Sequence, residues 1–147
     1  LKLTLILYKD KKAQQANWNF LSLPKTESIK FEIKKISDKS EALFFTEKKC
    51  QTDFCSENLK IFSIYPEDFK EIGNISLSAS NLLTCKKDKK PCFEFFGSHL
   101  LQTTKTNSVF DIKVSFKGFE EDPQGKAKQL DSEKYIFENG KYSEKDL

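Results

Sequence analysis

The chain has 147 residues, a formal net charge of +3, four cysteines and no methionine. Its 25 basic residues are all lysines. The absence of arginine argues against bidentate recognition of phosphates and guanine edges, so we expect no nucleic-acid partner. No apolar run reaches the roughly 18 residues of a membrane-spanning helix, and the length suits one domain with a buried core. The missing methionine indicates a processed or excised piece of a longer protein.

Alternating apolar and polar residues predict short strands in the first half of the chain. Residues 1–9 place leucine at every second position, and residues 28–36 place Ile29, Phe31 and Ile33 on one face, which we predict to be buried. Residues 41–47 predict a short apolar strand. Residues 58–65 are an apolar run of the kind found in strands that are buried on both faces, and Pro66 ends it.

The second half of the chain continues the pattern of strands and loops. A loop at 66–73, closed by Gly73, precedes an alternating strand at 74–80, and a long loop with a helical turn is predicted at 81–98. The last two strands are predicted at 99–104 and 108–116. The polar stretch between them predicts a tight turn, because Asn107 tolerates the left-handed backbone conformation.

Seven or eight short strands without a three-turn amphipathic helix predict an all-β fold, an antiparallel β-sandwich over residues 1–118. Residues 119–147 are charged and interrupted by glycine and proline, which predicts a trailing segment or linker that packs only through Tyr135–Phe137. The predicted core consists of Phe31, Ile33, Ile61, Ile75, Leu77, Phe110, Ile112, Val114 and Phe116.

Part of the chain resembles the C2 domain, in particular the N-terminal-type C2 domain of cytoskeletal and trafficking proteins. The matching residues are Ile72, Gly73, Ile75, Leu77, Leu82, Leu83 and the run Lys105-Thr106-Asn107-Ser108. The resemblance covers residues 17–117 and departs from the family before Trp18, where only one strand is predicted. It implies a C2-like sandwich that docks a larger cytoplasmic protein on a membrane and carries a lysine cluster for phosphoinositides.

Eight lysines are therefore candidates for lipid binding: Lys30, Lys34, Lys48, Lys49, Lys86, Lys87, Lys89 and Lys90. Each lysine near an anionic leaflet contributes about 1 kcal/mol of attraction, so a cluster of them makes an electrostatic anchor. The alternative is that these lysines only keep the protein soluble. We predict a non-catalytic, calcium-independent module, peripheral to the membrane in the cytoplasm, that binds anionic lipid or a protein partner.

Calcium binding is not expected, because a calcium site needs six to eight oxygen ligands on converging loops. The candidate loops offer only Glu67, Asp68, Glu71 and Asp10. Catalysis is not expected either, since the single histidine, His99, has no nucleophile motif or acidic residue beside it. No cofactor is predicted, and the oligomeric state is left open.

The cysteines form two short pairs in sequence, Cys50 with Cys55 and Cys85 with Cys92, which we expect at the same end of a β-hairpin. Free thiols, disulfides and a four-thiolate zinc site are all compatible with these spacings. Disulfides would favour a second function, that of a secreted or surface-exposed adhesin or ligand-binding sandwich. The sequon Asn74-Ile75-Ser76 would permit glycosylation in that case.

Overall fold

The computed structural model describes residues 2–9, 12–19, 26–51, 54–64 and 70–145, with side chains described from residue 28 onward. These residues form β-strands and no α-helix, which confirms the all-β prediction. The strands are β1 Lys2–Lys9, β2 Lys12–Asn19, β3 Thr26–Lys35, β4 Glu41–Gln51, β5 Phe54–Ser63, β6 Glu71–Ser80, β7 Phe93–Thr106, β8 Val109–Glu121, β9 Ala127–Gln129, β10 Glu133–Glu138 and β11 Lys141–Lys145.

Strands β3 to β11 form one antiparallel sheet of nine strands, and β1 pairs with β2 in a separate hairpin. From β3 to β8 each strand pairs with the next one along the chain. Strand β10 then pairs with β8, β11 pairs with β10, and the short β9 also pairs with β8. Consecutive hairpins produce this order because short connections bring neighbouring strands side by side. All nine strands from β3 to β11 therefore belong to a single sheet. The packing of two sheets face to face, which a sandwich requires, stays a prediction.

The sheet curls until the segment that follows β3 reaches the start of β8. Ser37, just after β3, forms an antiparallel bridge with Val109 at the start of β8. The backbone N–H of Phe110 donates a hydrogen bond of 2.8 Å to the carbonyl oxygen of Ile36. The rings of Phe44 in β4 and His99 in β7 stack with centroids 5.8 Å apart. The right-handed twist between neighbouring strands accumulates into such curvature, which encloses the core.

The core lies on the concave side of this curled sheet, and its buried members are Ile36, Ala42, Phe44, Leu59, Ile61, Ile72, Ile75, Leu77, Ile112, Val114 and Tyr142. Burial is confirmed for five predicted core residues: Ile61, Ile75, Leu77, Ile112 and Val114. Phe110 and Phe116 are only half-buried. The strand that is buried on both faces is β4, where four consecutive residues from Ala42 to Phe45 are at most 2% exposed, and not β5 as predicted.

The predicted burial of Phe31 and Ile33 is wrong, because they are 56% and 48% exposed. The register pairs Phe31 with Phe45, and it pairs Glu32 with the core residue Phe44. Since paired residues share a face, the polar positions of β3 point toward the core side and its apolar positions point away from it. The predicted alternation is therefore present, but neither face of β3 is buried, because Lys30 and Glu32 on the core side are exposed as well.

The predicted boundary at residue 118 falls inside β8, and the segment beyond it contributes β9, β10 and β11 to the same sheet. Within the apolar island at 135–137, Ile136 is buried as expected. Tyr142 is a second anchor: its side chain joins the core, and its hydroxyl donates a hydrogen bond of 3.0 Å to the carbonyl oxygen of Phe110. This part of the chain therefore packs through more than the predicted island.

The tight turn predicted between the last strands of the 99–116 region is confirmed between β7 and β8. Asn107 and Ser108 have φ angles of 51° and 66°, which is the left-handed conformation of a two-residue hairpin turn. The side-chain amide of Asn107 donates a hydrogen bond of 2.8 Å to the carbonyl oxygen of Phe137. Strand β7 begins at Phe93, so the preceding loop is shorter than predicted.

Candidate functional site

The four cysteines form two disulfides, Cys50–Cys55 with an S–S distance of 2.00 Å and Cys85–Cys92 with 2.02 Å. Free cysteines are absent from the part of the chain that the structure describes, which includes all four. Of the three alternatives raised by the sequence, the structure therefore has disulfides, and the bonded sulfurs are no longer the thiolates that a zinc site would need.

Both disulfides lie at one end of the sheet, as expected from the sequence. Cys50 in β4 is directly opposite Cys55 in β5, and Cys55 is opposite Ser80, the last residue of β6. The loop closed by the Cys85–Cys92 bond follows immediately, at residues 81–92. We call residues 81–92, together with the end of the β4–β5 hairpin, the disulfide-linked tip.

Hydrogen bonds around Asn81 hold the loop of the tip in shape. The carbonyl oxygen of Asn81 accepts from the N–H groups of Thr84 and Cys85, at 3.0 and 2.9 Å. The side-chain amide of Asn81 donates to the Pro91 carbonyl oxygen at 3.0 Å, and its side-chain oxygen accepts from the Phe93 N–H at 2.8 Å. These bonds reproduce the helical turn expected here, and they fasten both ends of the loop to each other.

The tip presents cationic and apolar side chains together. The four lysines of its loop at residues 81–92 are all exposed: Lys86, Lys87, Lys89 and Lys90. The acidic residue Asp88 lies among them, 3.9 Å from the ammonium group of Lys90. Leu83 is 76% exposed and Leu82 is 40% exposed in the same loop. An exposed leucine pair next to clustered lysines is the combination of side chains that interfacial membrane binding uses.

The other four candidate lysines do not join this cluster. The ammonium group of Lys49 lies 3.1 Å from the buried carboxylate of Glu47, so its charge is already paired. Lys48 is opposite Glu57 across the β4–β5 pair. Lys34 lies 2.9 Å from Glu32 and, like Lys30, belongs to β3. The eight lysines predicted as one lipid-binding set therefore divide into an exposed group of four at the tip, where Lys90 also meets Asp88, and four on β3 and β4, of which Lys34 and Lys49 form ion pairs.

His99 lies in a cleft of about 280 Å³ between β3 and β7, which is also lined by Glu32, Phe44 and Glu57. Its Nε2 atom is buried and has no hydrogen-bond partner among the described residues. Burial lowers the pKa of His99, the nearby ammonium group of Lys34 lowers it further, and Glu32 opposes them. The imidazole is therefore favoured in its neutral form. The hydroxyl-bearing residues Thr46 and Ser98 also line the cleft. The absence of catalysis stays a prediction.

A second cleft of about 630 Å³ lies near the end of β8 and is lined by acidic residues that include Glu121, Asp122 and Glu133. Within the described ranges, the structure contains no group of three or more side chains placed to hold a metal ion. Glu67, Asp68 and Asp10, considered for calcium, lie outside the described residues, and Glu71 begins β6 in an exposed position. The absence of calcium binding stays a prediction.

Leu82 and Leu83 were matched to the C2 pattern by sequence and were not considered as contact residues. The signal that could have found them is the end of the alternation at Ala79: two adjacent leucines then fall on a turn, where no strand face can bury both. Lysines follow them closely, within the loop that the Cys85–Cys92 bond closes.

No family model, no curated protein and no solved structure matches this chain. No helix among the described residues is long and apolar enough to cross a membrane.

Proposed function

We propose that this chain is a non-catalytic binding module of a secreted or surface-exposed protein, and that it docks on an anionic membrane surface through the disulfide-linked tip. The observation that carries this proposal is the exposed group of four lysines next to Leu83 on a loop closed by the Cys85–Cys92 bond. Lysine supplies the attraction to anionic headgroups, and leucine supplies an apolar side chain that enters the interface.

The two disulfides support the proposed compartment, because such bonds persist in oxidising surroundings and are rare in the cytosol. The second function derived from the sequence, a secreted or surface-exposed binding domain, is therefore favoured over the cytoplasmic location implied by the C2 resemblance. A C2-like sandwich remains compatible with the proposal, which does not depend on it.

The lysines supply most of the expected binding energy. Asp88 pairs with Lys90 and offsets one of the four charges. At about 1 kcal/mol each, the other three lysines contribute about 3 kcal/mol near an anionic surface, which is roughly a hundredfold in affinity. Leu83 adds about 1–2 kcal/mol if its exposed side chain enters the apolar part of the interface. Lysine is a point charge without the bidentate geometry of arginine, so the electrostatic part should be sensitive to salt.

The test is flotation of the protein with vesicles of phosphatidylcholine alone and of phosphatidylcholine mixed with phosphatidylserine. We expect binding only to the mixed vesicles at low salt, and weaker binding as salt shortens the Debye length from about 10 Å at 0.1 M to about 3 Å at 1 M. The variant with Lys86, Lys87, Lys89 and Lys90 replaced by glutamate should no longer bind.

The matched control replaces four exposed lysines away from the tip, Lys113, Lys117, Lys126 and Lys128, by glutamate. It changes the net charge equally but should retain most of the binding. Equal loss in both variants would mean that net charge alone drives association. If the unmodified protein fails to float with mixed vesicles at low salt, the membrane proposal is wrong, and a protein ligand becomes the favoured partner.

A further inference from the structure

Strand β3 is an open edge of the nine-stranded sheet. It pairs with β4 on one side, and its other side has no partner among the described strands. The bridge between Ser37 and Val109 comes only after β3 has ended. The cleft around His99 separates β3 from β7 along the part of β3 that contains Lys30 and Glu32. The edge is therefore accessible to another strand.

An open edge presents a row of backbone N–H and C=O groups that can pair with another chain. Proteins usually protect such edges by keeping them short, by bulges, or by charged side chains, lysine above all. Strand β3 carries Lys30, Lys34 and Lys35, but glutamates of opposite charge lie among them. Strand β3 is ten residues long, and its only irregularity lies at its beginning, between Thr26 and Ser28. It also exposes Phe31 and Ile33 on the side away from the core. These features leave a long edge on which apolar and charged side chains alternate, and a partner strand with a matching pattern would cover it.

The sequence of β3 is complementary to itself when two copies run antiparallel with Phe31 opposite Phe31. In this register Lys30 is opposite the partner's Glu32, and Glu32 is opposite the partner's Lys30. On the other face, Ile29 is opposite the partner's Ile33, so apolar residues meet apolar residues on both sides of the central pair. Opposite charges and apolar side chains that face each other directly both stabilise antiparallel pairs.

Neighbouring registers that keep the same faces together are less favourable. Sliding the partner strand by two residues in one direction places Lys30 opposite the partner's Lys30. Sliding it by two residues in the other direction places Glu32 opposite the partner's Glu32. Like charges directly opposite each other are destabilising. The charge pattern of β3 therefore favours the register centred on Phe31 over both of these registers.

We propose that two copies of this chain associate through their β3 edges, in antiparallel register about a two-fold axis at Phe31, into one continuous sheet. The occupant of the edge is a second copy because the alternating charges of β3 match their own reverse order. A symmetric dimer of this kind would place the two disulfide-linked tips on one assembly, and bivalent binding would then raise the apparent affinity for a surface that both tips reach.

The test uses charge reversal across the proposed axis and measures the dimer dissociation constant by sedimentation equilibrium. In Lys30→Glu, the partner's Glu32 faces a second glutamate twice per dimer, so we expect dimerisation to weaken about tenfold or more. The exchanged variant, K30E with E32K, restores opposite charges in the same register and should recover most of the association. Both residues are exposed, so the monomer fold should remain intact.

Phe31→Asp places two carboxylates at the centre of the interface and should abolish the dimer. Lys113→Glu, on an exposed position of β8, is the control with the same charge change and should have no effect. Circular dichroism of each variant shows whether the strands are retained. A wild-type protein that is monomeric at millimolar concentration, or a double variant no better than K30E alone, would overturn the proposal. Loss of the dimer when Lys86, Lys87, Lys89 and Lys90 are replaced by glutamate would also overturn the proposal.

Discussion

Removing the Cys85–Cys92 disulfide by replacing both residues with alanine should separate its effect on stability from its effect on binding. The bond closes a loop with a sequence separation of 7, for which chain entropy in the unfolded state predicts a loss of about 2.4 kcal/mol. Cys85 is almost completely buried, so the lost sulfur packing adds to this value. For a chain of this length, such a loss lowers Tm by about 5–10 °C.

The Cys50–Cys55 bond provides the matched comparison. Its sequence separation of 5 predicts a loss of about 2.1 kcal/mol, which is nearly the same. Only the Cys85–Cys92 bond, however, encloses the four exposed lysines. Its removal should therefore weaken vesicle binding about threefold to tenfold, because the loop loses part of its preorganisation. The Asn81 hydrogen bonds remain and limit the loss.

Urea unfolding followed by circular dichroism measures the stability of both variants, and flotation with mixed vesicles measures their binding. Two outcomes would refute the reasoning. If the free energy of unfolding of C85A/C92A is within about 0.5 kcal/mol of the wild-type value, the disulfide does not constrain the unfolded chain as assumed. If C50A/C55A weakens vesicle binding as much as C85A/C92A, the loop closed around the lysines has no special role.

Three further predictions concern single positions. Lys134→Met should cost about 3 kcal/mol in urea unfolding, because it leaves the buried carboxylate of Asp111 without its ammonium partner at 2.9 Å, and Asp111→Asn should cost less. Burial raises the pKa of Asp111, but hydrogen bonds, first among them the one from Lys134, outweigh burial and lower the pKa. The stability of the wild type should therefore decrease as the pH falls below about 4, and the stability of the Asn variant should depend less on pH. Gly97→Ala should cost about 1–3 kcal/mol, since its Cβ would lie 2.8 Å from the Phe116 ring, and an unchanged urea midpoint would contradict this. Asn74 is exposed on β6, so secretory expression in a eukaryotic cell should add a glycan that Asn74→Gln removes; a single unglycosylated species would count against an accessible sequon.

For Asp111, the direction of the pH effect follows from proton binding. Its pKa is lower in the folded protein than in the unfolded chain, so its contribution is complete above the unfolded value and disappears as pH falls through the folded value. Lys134 is about one-third exposed, so in Asp111→Asn its ammonium group still reaches water. In Lys134→Met the carboxylate stays buried without a cation, although hydrogen bonds from the side chains of Thr104 and Thr106 remain. A larger loss for Asp111→Asn than for Lys134→Met would contradict this order.

Local patterns in the sequence determined which segments become strands. The alternation around Ile75 and Ile112 predicted strands with a buried face, and both residues are buried. Asn107 predicted the turn between β7 and β8, because its left-handed conformation depends on the residue itself and its immediate neighbours. The two cysteine pairs were expected at the same end of a hairpin, and strand order alone is enough to place them there.

Only the tertiary structure decided which face of β3 is turned toward the core, how far the sheet extends, and which lysines meet a buried carboxylate. Phe31 and Ile33 alternate like core residues, yet β3 is an edge whose polar side is turned toward the core. Tyr142 lies in a charged segment, but it is buried because β10 and β11 add to the sheet beside β8. Lys49 looks like Lys86 in sequence, but only Lys49 meets a buried carboxylate. These outcomes depend on partners far away along the chain, and a pattern of neighbouring residues contains no information about which distant surface will cover a face or neutralise a charge.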